Sequence, residues 1–558
     1  MMWKSRVPSG GAGREWGPRA GRTRMPGCKE PRPDVFGWSI IRSDCHVLRY
    51  NPKRPIAKYP ARDPLFLSGE IHRRCGPEAA HYAGCMHAAA HTSLRSGLHS
   101  VADYAANFAD SLATRPAGSA VGSAALRRDL DQLCPEHGTP AEIVIPELVR
   151  GVSPGLVASG SPRYFGFVMS GTTPASLMAD WLTFVWDQNA QVEATSPAAA
   201  AVEAIVARWV LELLGLPPQA SVGLVTGGQM ANFTALAAAR HTVLERAGWD
   251  FDRQGLFGAP AAVVMMSESA HATVRSALRM LGFGESQVHL IPCDSEGCMQ
   301  LAAIQEEIRK ASGLPLILSL QAGNVNTGAF EPIGPIADLV RTENAWIHVD
   351  GAFGLWAAVS PQLRHLLKGV ERADSWATDA HKWLNVPYDS GLVMVKSAAA
   401  HRRLKTERCS YAGEAGDDRR DGSAWAPENS RRARAFVLYA VLRELGREGI
   451  RDVVERCCER ARQLAAGLRQ MPGARVLNEV VLNQVIFDLG ALPGQDSDAY
   501  HGAVAAQLQA DGRCWIGTTR WQGRTVLRVS IANRSTMAED IAATLAALRE
   551  CSEWVAAT

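Results

Sequence analysis

Four short strings in this 558-residue chain combine residue types that act together in chemistry. Thr226-Gly227-Gly228-Gln229 precedes a helix-period run that begins near Met230. Two glycines let backbone N–H groups approach an anion, and a helix N-terminus adds a favourable dipole. A plain turn with a helix cap would give the same string. Ser267-Glu268-Ser269-Ala270-His271 closes an apolar run at 261–267, where a lone histidine is as readily structural. Asp350, in IHVDGAF, ends a second apolar run. An acid at the end of a buried strand needs a cationic partner or a metal. Asp379-Ala380-His381-Lys382-Trp383 follows a third run at 375–378. A lysine in such a setting can form a Schiff base, although an isolated one is more simply a solvated charge. An anion cradle, a stacking histidine, an acid for a pyridinium nitrogen and a lysine for an aldehyde are together the four handles of pyridoxal phosphate. Asp350 would then keep the ring nitrogen protonated, and Lys382 would hold the aldehyde until the substrate amine displaces it.

In largely parallel sheets, ligands gather at the carboxyl ends of the strands, which is where these strings fall. Apolar β-type runs at 261–267, 288–293, 316–320, 346–350 and 392–396 alternate with helix-period segments at 230–247, 270–281, 301–312 and 333–343. Near-continuous apolar strands between helices predict an α/β fold with a mostly parallel sheet covered on both faces. Further along, helices over 431–445 and 451–471 are expected, then strands near 476–481, 484–489, 514–516 and 526–531, with helices over 498–510 and 538–549. That pattern predicts a small α+β domain. Upstream, Leu98, Val101, Tyr104, Ala105 and Phe108 mark a helical stripe ending near Ala113. Pro146 is a candidate first residue of a helix, residues 163–168 (RYFGFV) read as an extended aromatic segment, and an amphipathic helix is expected over 198–216.

Composition excludes several alternatives. Apolar residues are 47%, charged residues 21% and net charge +3, which is ordinary for a globular chain and gives no electrostatic case for nucleic acid or a membrane surface. No run of about 18 uncharged apolar residues exists. Twelve cysteines are scattered without a CxxC pair, which argues against a zinc ribbon or a disulfide framework and fits a reducing cytoplasm. Residues 1–29 carry Lys4, Arg6, Arg14, Arg19, Arg22, Arg24 and Lys29 against Glu15, and are rich in Gly and Pro. That content disfavours an amphipathic transit helix, and no apolar run marks a secretory signal. His72, Cys75, Cys85, His87 and His91 match no metal-site spacing. The expected division is a disordered basic leader over 1–90, dispensable if Met86 is the natural start, a helical segment over 91–220, a large cofactor-binding domain over 221–430 and a small domain over 431–558.

The string DSWATDAHKWLNVPYDSG (374–391) closely resembles the lysine signature of the group II pyridoxal-phosphate-dependent amino acid decarboxylases. The resemblance extends over about residues 92–550, through SPRYFGFV (161–168), TGGQMANFTALAAAR (226–240), HVDGAFG (348–354) and ENSRRARA (428–435). It implies the fold type I aminotransferase architecture and decarboxylation of an L-amino acid to the amine and carbon dioxide. By this resemblance Lys382 is the Schiff-base lysine, Asp350 partners the pyridine nitrogen with Ala352 beside it, and His271 stacks on the ring. Gly228 and Gln229 fall in the phosphate loop, where relatives often carry a small hydroxyl residue at the second position. Gln229 would therefore contribute its backbone N–H. Asp379 falls where relatives have a polar phosphate contact, an awkward place for an acid. His381 sits beside the lysine, and Asn324 and Asn326 lie where relatives contact the ring oxygen.

Tyr411 is placed as the family's catalytic-loop tyrosine, in a Gly/Arg/Asp-rich stretch (409–422) that reads as a mobile lid. The resemblance makes it the proton donor that favours simple decarboxylation over aldehyde formation; a surface-loop tyrosine is the plain alternative. An aminotransferase on the same fold is the chief rival, with Arg528 as its carboxylate anchor, although Arg528 also reads as a structural strand residue. A catalytically silent interaction protein on this fold is a rival of another class. The resemblance further implies a homodimer with shared active sites, the 165–170 region of one chain lining the site of the other. Ser170 is its substrate-side position, followed by Trp181, Trp186 and Gln188. This mixture suits an aromatic side chain and leaves acidic and diamino substrates open.

Overall fold

The computed structural model describes residues 86–558, apart from 120, 132–133, 341–343, 405–419 and 492–493, with side chains from residue 94. The helices α1 (Met86–Ser111), α2 (Ser123–Leu130) and α3 (Ala141–Val152) come first, followed by α4 (Pro174–Trp186) and α5 (Pro197–Leu214). Met86 therefore already lies in a helix, inside the stretch expected to be leader. Pro146 falls within α3 rather than at its start, because Pro140 takes the cap position and the helix begins at Ala141. Ser196 caps α5 by accepting from the Ala199 N–H, and Gly215, at φ 64°, ends it.

The large sheet is built from β1 (Ser221–Val225), β2 (Val263–Ser267), β3 (Val288–Ile291), β4 (Leu316–Gln321), β5 (Ala345–Asp350), β6 (Ser375–Asp379) and β7 (Gly391–Val395). Its spatial order is β1-β7-β6-β5-β4-β2-β3. The run β6-β5-β4-β2-β3 is parallel, as expected, but β7 is antiparallel to both β1 and β6. α6 (Gly228–Arg246), α7 (Phe251–Gln254), α8 (Ala272–Met280), α9 (Leu301–Lys310), α10 (Ile333–Leu339) and α11 (Ala380–Trp383) connect these strands, and α12 (Ala398–Arg402) follows β7. Most of these strands are buried along their whole length, so they read as apolar runs, and Trp346, Trp356, Trp376 and Trp383 are fully enclosed between the layers.

The remaining part begins with α13 (Ala435–Leu468), whose helical geometry breaks at Gly446 (φ 60°), near the gap expected between two helices. Then come β8 (Arg475–Val476), β9 (Gln484–Asp488), α14 (Ser497–Asp511), β10 (Gly517–Trp521), β11 (Arg524–Ser530) and α15 (Ala538–Ala557). The small sheet is antiparallel in the order β10-β11-β9-β8. The strand expected near 514–516 is displaced to Gly517–Trp521. Cys514 and Ile516 are buried apolar residues of the connection, whereas β10 itself is largely polar. The 163–168 segment is not extended throughout. Tyr164 makes one bridge to Trp515, and Phe167 and Val168 turn through positive φ.

Candidate active site

Parallel β5 and β6 end side by side, and their last residues deliver two of the polar groups that the sequence singled out. Asp350 closes β5 and is 8% exposed. Its Oδ2 accepts from Asn232 Nδ2 at 3.0 Å and its Oδ1 from the Ala352 N–H at 3.1 Å. Lys382 and His271 act on it only through space. Burial raises its pKa, against the pull of Lys382, Asn232 and His271. Asp379 closes β6 at 2% exposure, with Oδ2 3.0 Å from Lys382 Nζ in α11. Its Oδ1 is buried without a hydrogen-bond partner, 3.6 Å from His381 Nε2. His381 Nδ1 accepts from the Ser390 N–H at 3.2 Å, which leaves the ring proton on Nε2, facing Asp379. Burial lowers the His381 pKa, so this imidazole is neutral near pH 7.

The glycine turn leads from β1 into α6 against this acid. A Cβ on Gly228 would stand 2.9 Å from Asp379 Oδ2, and one on Gly391 only 2.5 Å from the Gly227 Cα. Glycine is required at Gly391 by that backbone approach, and the first amides of α6 have no side-chain cap. Gln229 is exposed on the same first turn, so its side chain leaves the amide face open. His271 ends the β2 connection as the N-cap of α8. Its Nδ1 accepts from the Thr273 N–H at 3.3 Å, so the ring proton sits on Nε2. Loss of water around the ring lowers the His271 pKa, with Asp350 opposing and Lys382 and Arg528 assisting.

Other expected residues stand further out. Asn324 Oδ1 accepts from the Asn326 and Thr327 N–H groups and so folds its own loop. Asn326 Oδ1 takes Thr519 Oγ1 at 2.9 Å and Arg528 Nη1 at 3.4 Å, which ties it to β10 and β11. Arg528 also donates to the Val325 carbonyl at 3.3 Å, the structural use that the strand reading anticipated. Ser170, 1% exposed, lies 3.4 Å from the His381 carbonyl of its own chain. The 165–170 segment is thus placed beside its own site, where the Phe165 N–H donates to the Trp515 carbonyl and the Phe165 carbonyl accepts from Ser530 N–H. Trp181 and Trp186 are 40% and 48% exposed on α4, and Gln188 donates to the Trp186 carbonyl. Tyr411 lies outside the described residues. The Arg-rich string 428–435 proves structural: Arg431 is buried against Glu203 at 2.9 Å and donates to the Ala190 and Leu224 carbonyls.

Sequence reasoning missed an aromatic wall. Tyr388 lies over His381 with centroids 4.3 Å apart, Tyr164 stacks on Trp515 at 4.9 Å, and Phe167 meets the same indole at 5.4 Å. Tyr388 itself is 54% exposed. Sequence reasoning also missed Asn232, although four residues after Gly228 is one helical turn and therefore the same face.

Residues 124–490 match the family model of the pyridoxal-dependent decarboxylase conserved domain. The chain belongs to the pyridoxal-dependent decarboxylase family. It is 26% identical over 458 residues to the aromatic-L-amino-acid decarboxylase of Bacillus atrophaeus, covering 80% of this chain and 92% of that one. It is 24% identical over 449 residues to a tryptophan decarboxylase of Camptotheca acuminata, with 78% and 89% covered. The crystal structure of Oryza sativa TDC with pyridoxal phosphate and tryptamine superposes with a TM-score of 0.77 at 23% identity, over 83% of this chain and 98% of that one. The fold is that of fold type I enzymes, and this decarboxylase uses pyridoxal phosphate to convert an amino acid to an amine and carbon dioxide. The residues present fit the cofactor. Asp350 is a buried acid whose hydrogen-bond donors are neutral, as a carboxylate awaiting a cationic ring nitrogen should be, and the glycine turn offers uncapped amides where a phosphate would lie.

Proposed function

We propose that this decarboxylase acts on an aromatic L-amino acid, with Lys382 carrying the cofactor aldehyde as a Schiff base. Asp350 would hold the ring-nitrogen proton, Ala352 would orient Asp350 through its N–H, and His271 would cover the ring. Gly228 and Gln229 would give backbone N–H groups to the phosphate, with Asp379 and His381 flanking it and Asn326 supporting the loop behind. When bound, pyridoxal phosphate supplies an electron sink for negative charge at the substrate α-carbon. The chain contributes the orientation: neutral His271 presents its Nε2 proton, and Arg528 is spent on Val325 and Asn326 rather than held free to clamp the substrate carboxylate. Ser170 lies on the substrate side, and Tyr411 is the proposed donor of the returning proton. Residues 221–430 form the proposed cofactor domain and 431–558 the small one.

Tyr388 against His381, together with the cluster of Tyr164, Phe167 and Trp515, carries the substrate assignment. The relatives named for tryptophan, tyrosine and aromatic amino acids support it. A second copy of the chain is the proposed partner, seated on the apolar face of α4 next to Phe167. Among the described residues, no helix is long and apolar enough to cross a membrane.

Carbon dioxide release from an amino acid panel, with α-keto acid assayed in parallel, tests this reading. Tryptophan, tyrosine and phenylalanine are expected to give kcat/KM at least about tenfold above glutamate and 2,4-diaminobutyrate, a difference of about 1.4 kcal/mol in transition-state binding. A preference for glutamate or the diamine would reject the aromatic assignment. Lys382→Ala is expected to abolish the visible cofactor band, and an unchanged band would remove Lys382 from its role.

A further inference from the structure

Four side chains with no role so far form one buried line that ends on Asp350. Trp346 Nε1 donates to Ser375 Oγ at 2.8 Å, and Ser375 Oγ lies 3.0 Å from His348 Nδ1. His348 Nε2 is 2.9 Å from Asn232 Oδ1, and Asn232 Nδ2 is 3.0 Å from Asp350 Oδ2. His348 and Ser375 are fully buried, and Trp346 and Asn232 nearly so. The elements explain the line. Trp346, His348 and Asp350 alternate along β5 and so share one face, Ser375 pairs with His348 in the register of β6, and α6 lays Asn232 across that face.

The chemistry of the two ends gives the line a direction. An indole N–H can only donate, and an ionised carboxylate can only accept. Ser375 therefore accepts from Trp346, and its hydroxyl donates a hydrogen bond to His348 Nδ1. His348 then carries its proton on Nε2 and donates to Asn232 Oδ1, which turns the Asn232 amide N–H toward Asp350. Reversal would make Ser375 accept twice and strand its hydroxyl proton in a dry site, a loss comparable to an unmade buried hydrogen bond. His348 is suited to this, because burial pushes its pKa down to about 3 and it stays neutral, with one donor and one acceptor.

We propose that Trp346, Ser375, His348 and Asn232 are positioning residues that keep Asp350 oriented and ionised for the cofactor ring nitrogen. The inference rests on the proposed pairing of Asp350 with that nitrogen. The line acts on one atom of the cofactor, so its effect is separable from general stability.

The full-length apoprotein is titrated with pyridoxal phosphate and with the 1-deaza analogue, which lacks the ring nitrogen, and the ratio of the two Kd values is measured. The wild-type protein is expected to prefer pyridoxal phosphate. Asn232→Leu, and the smaller Asn232→Ala where the first fails to fold, are expected to cut that preference about tenfold or more, because a hydrogen bond to a charged group is lost. His348→Leu should do the same, while His348→Gln, which keeps one donor and one acceptor, should retain the preference within about threefold. Equal weakening of both ligands in the Asn232 variants, with Asp350→Asn still removing the preference, would overturn the proposal and reduce the line to packing. A preference that survives Asp350→Asn would instead overturn the pairing of Asp350 with the ring nitrogen, and the proposal with it.

Discussion

Buried acids near the cleft are retained by three different devices. Asp350 has neutral donors, Asp379 has the Lys382 ammonium at 3.0 Å, and Glu331 keeps its proton. Glu331 is 2% exposed, accepts from the Met299 N–H, and is pushed up by burial from 4.5 to about 8. A carboxyl whose folded pKa is raised gives stability that is complete below the unfolded pKa and is lost as pH climbs through the folded one. Wild-type stability should therefore fall between pH 4.5 and 8 by up to about 4 kcal/mol from this group, at roughly 1.4 kcal/mol per unit. Glu331→Gln removes the titration. Its Tm is expected to match the wild type near pH 4.5 and to exceed it increasingly up to pH 8; a constant gap across that range would show Glu331 ionised in the fold. At this scale the sequence exposes residues at or just after the ends of strands, such as Asp350 and Lys382. It hides Asn232 and His348, because their roles depend on the phase of α6 over β5, and a histidine inside an apolar strand looks like core.

The elements were legible where burial alone dictates their composition. β2, β4, β5 and β6 are buried on both faces, so their apolar runs mark them within a residue or two. The direction of β7 was not legible, because an apolar run carries no information about strand sense, and β10 was missed because a half-exposed strand with two threonines and an arginine breaks the apolar pattern. The close meeting of β7 with the turn before α6 was also invisible, since it depends on that antiparallel sense. It gives a test at Gly391. A Cβ there would stand 2.5 to 2.7 Å from three backbone atoms of Gly227, which have no rotamer through which to yield. Gly391→Ala should displace the glycine turn, costing about 1–3 kcal/mol of stability by overpacking. The Kd for pyridoxal phosphate is expected to rise about tenfold alongside the drop in Tm. A variant that binds the cofactor normally would mean that this turn does not hold the phosphate.

On the whole molecule, α4 is inside out for an isolated chain. Its buried residues are Ser176, Asp180 and Thr183, whereas Met178, Trp181, Leu182 and Val185 form an outward stripe at helical spacing, with Val185 72% exposed. A soluble helix normally turns such a stripe to the core. α2 and α3 likewise bury none of their residues, although Ile143, Val144, Ile145 and Leu148 are apolar. Exposed apolar residues at helical spacing are what an interface would cover, and Phe167 is likewise 62% exposed. A second copy of the same chain would cover it and narrow the site at once. The charge-introducing pair Met178→Glu and Val185→Glu tests this directly, because both side chains are exposed. Sedimentation velocity at micromolar concentration should show the wild type as a dimer and the double variant as a monomer, each with unchanged helix content. The variant is expected to lose about tenfold or more in kcat/KM, since its cleft would stay open on the Phe167 side. A wild-type protein that sediments as a fully active monomer would defeat the shared-site reading and leave the stripe on α4 for a partner of another kind.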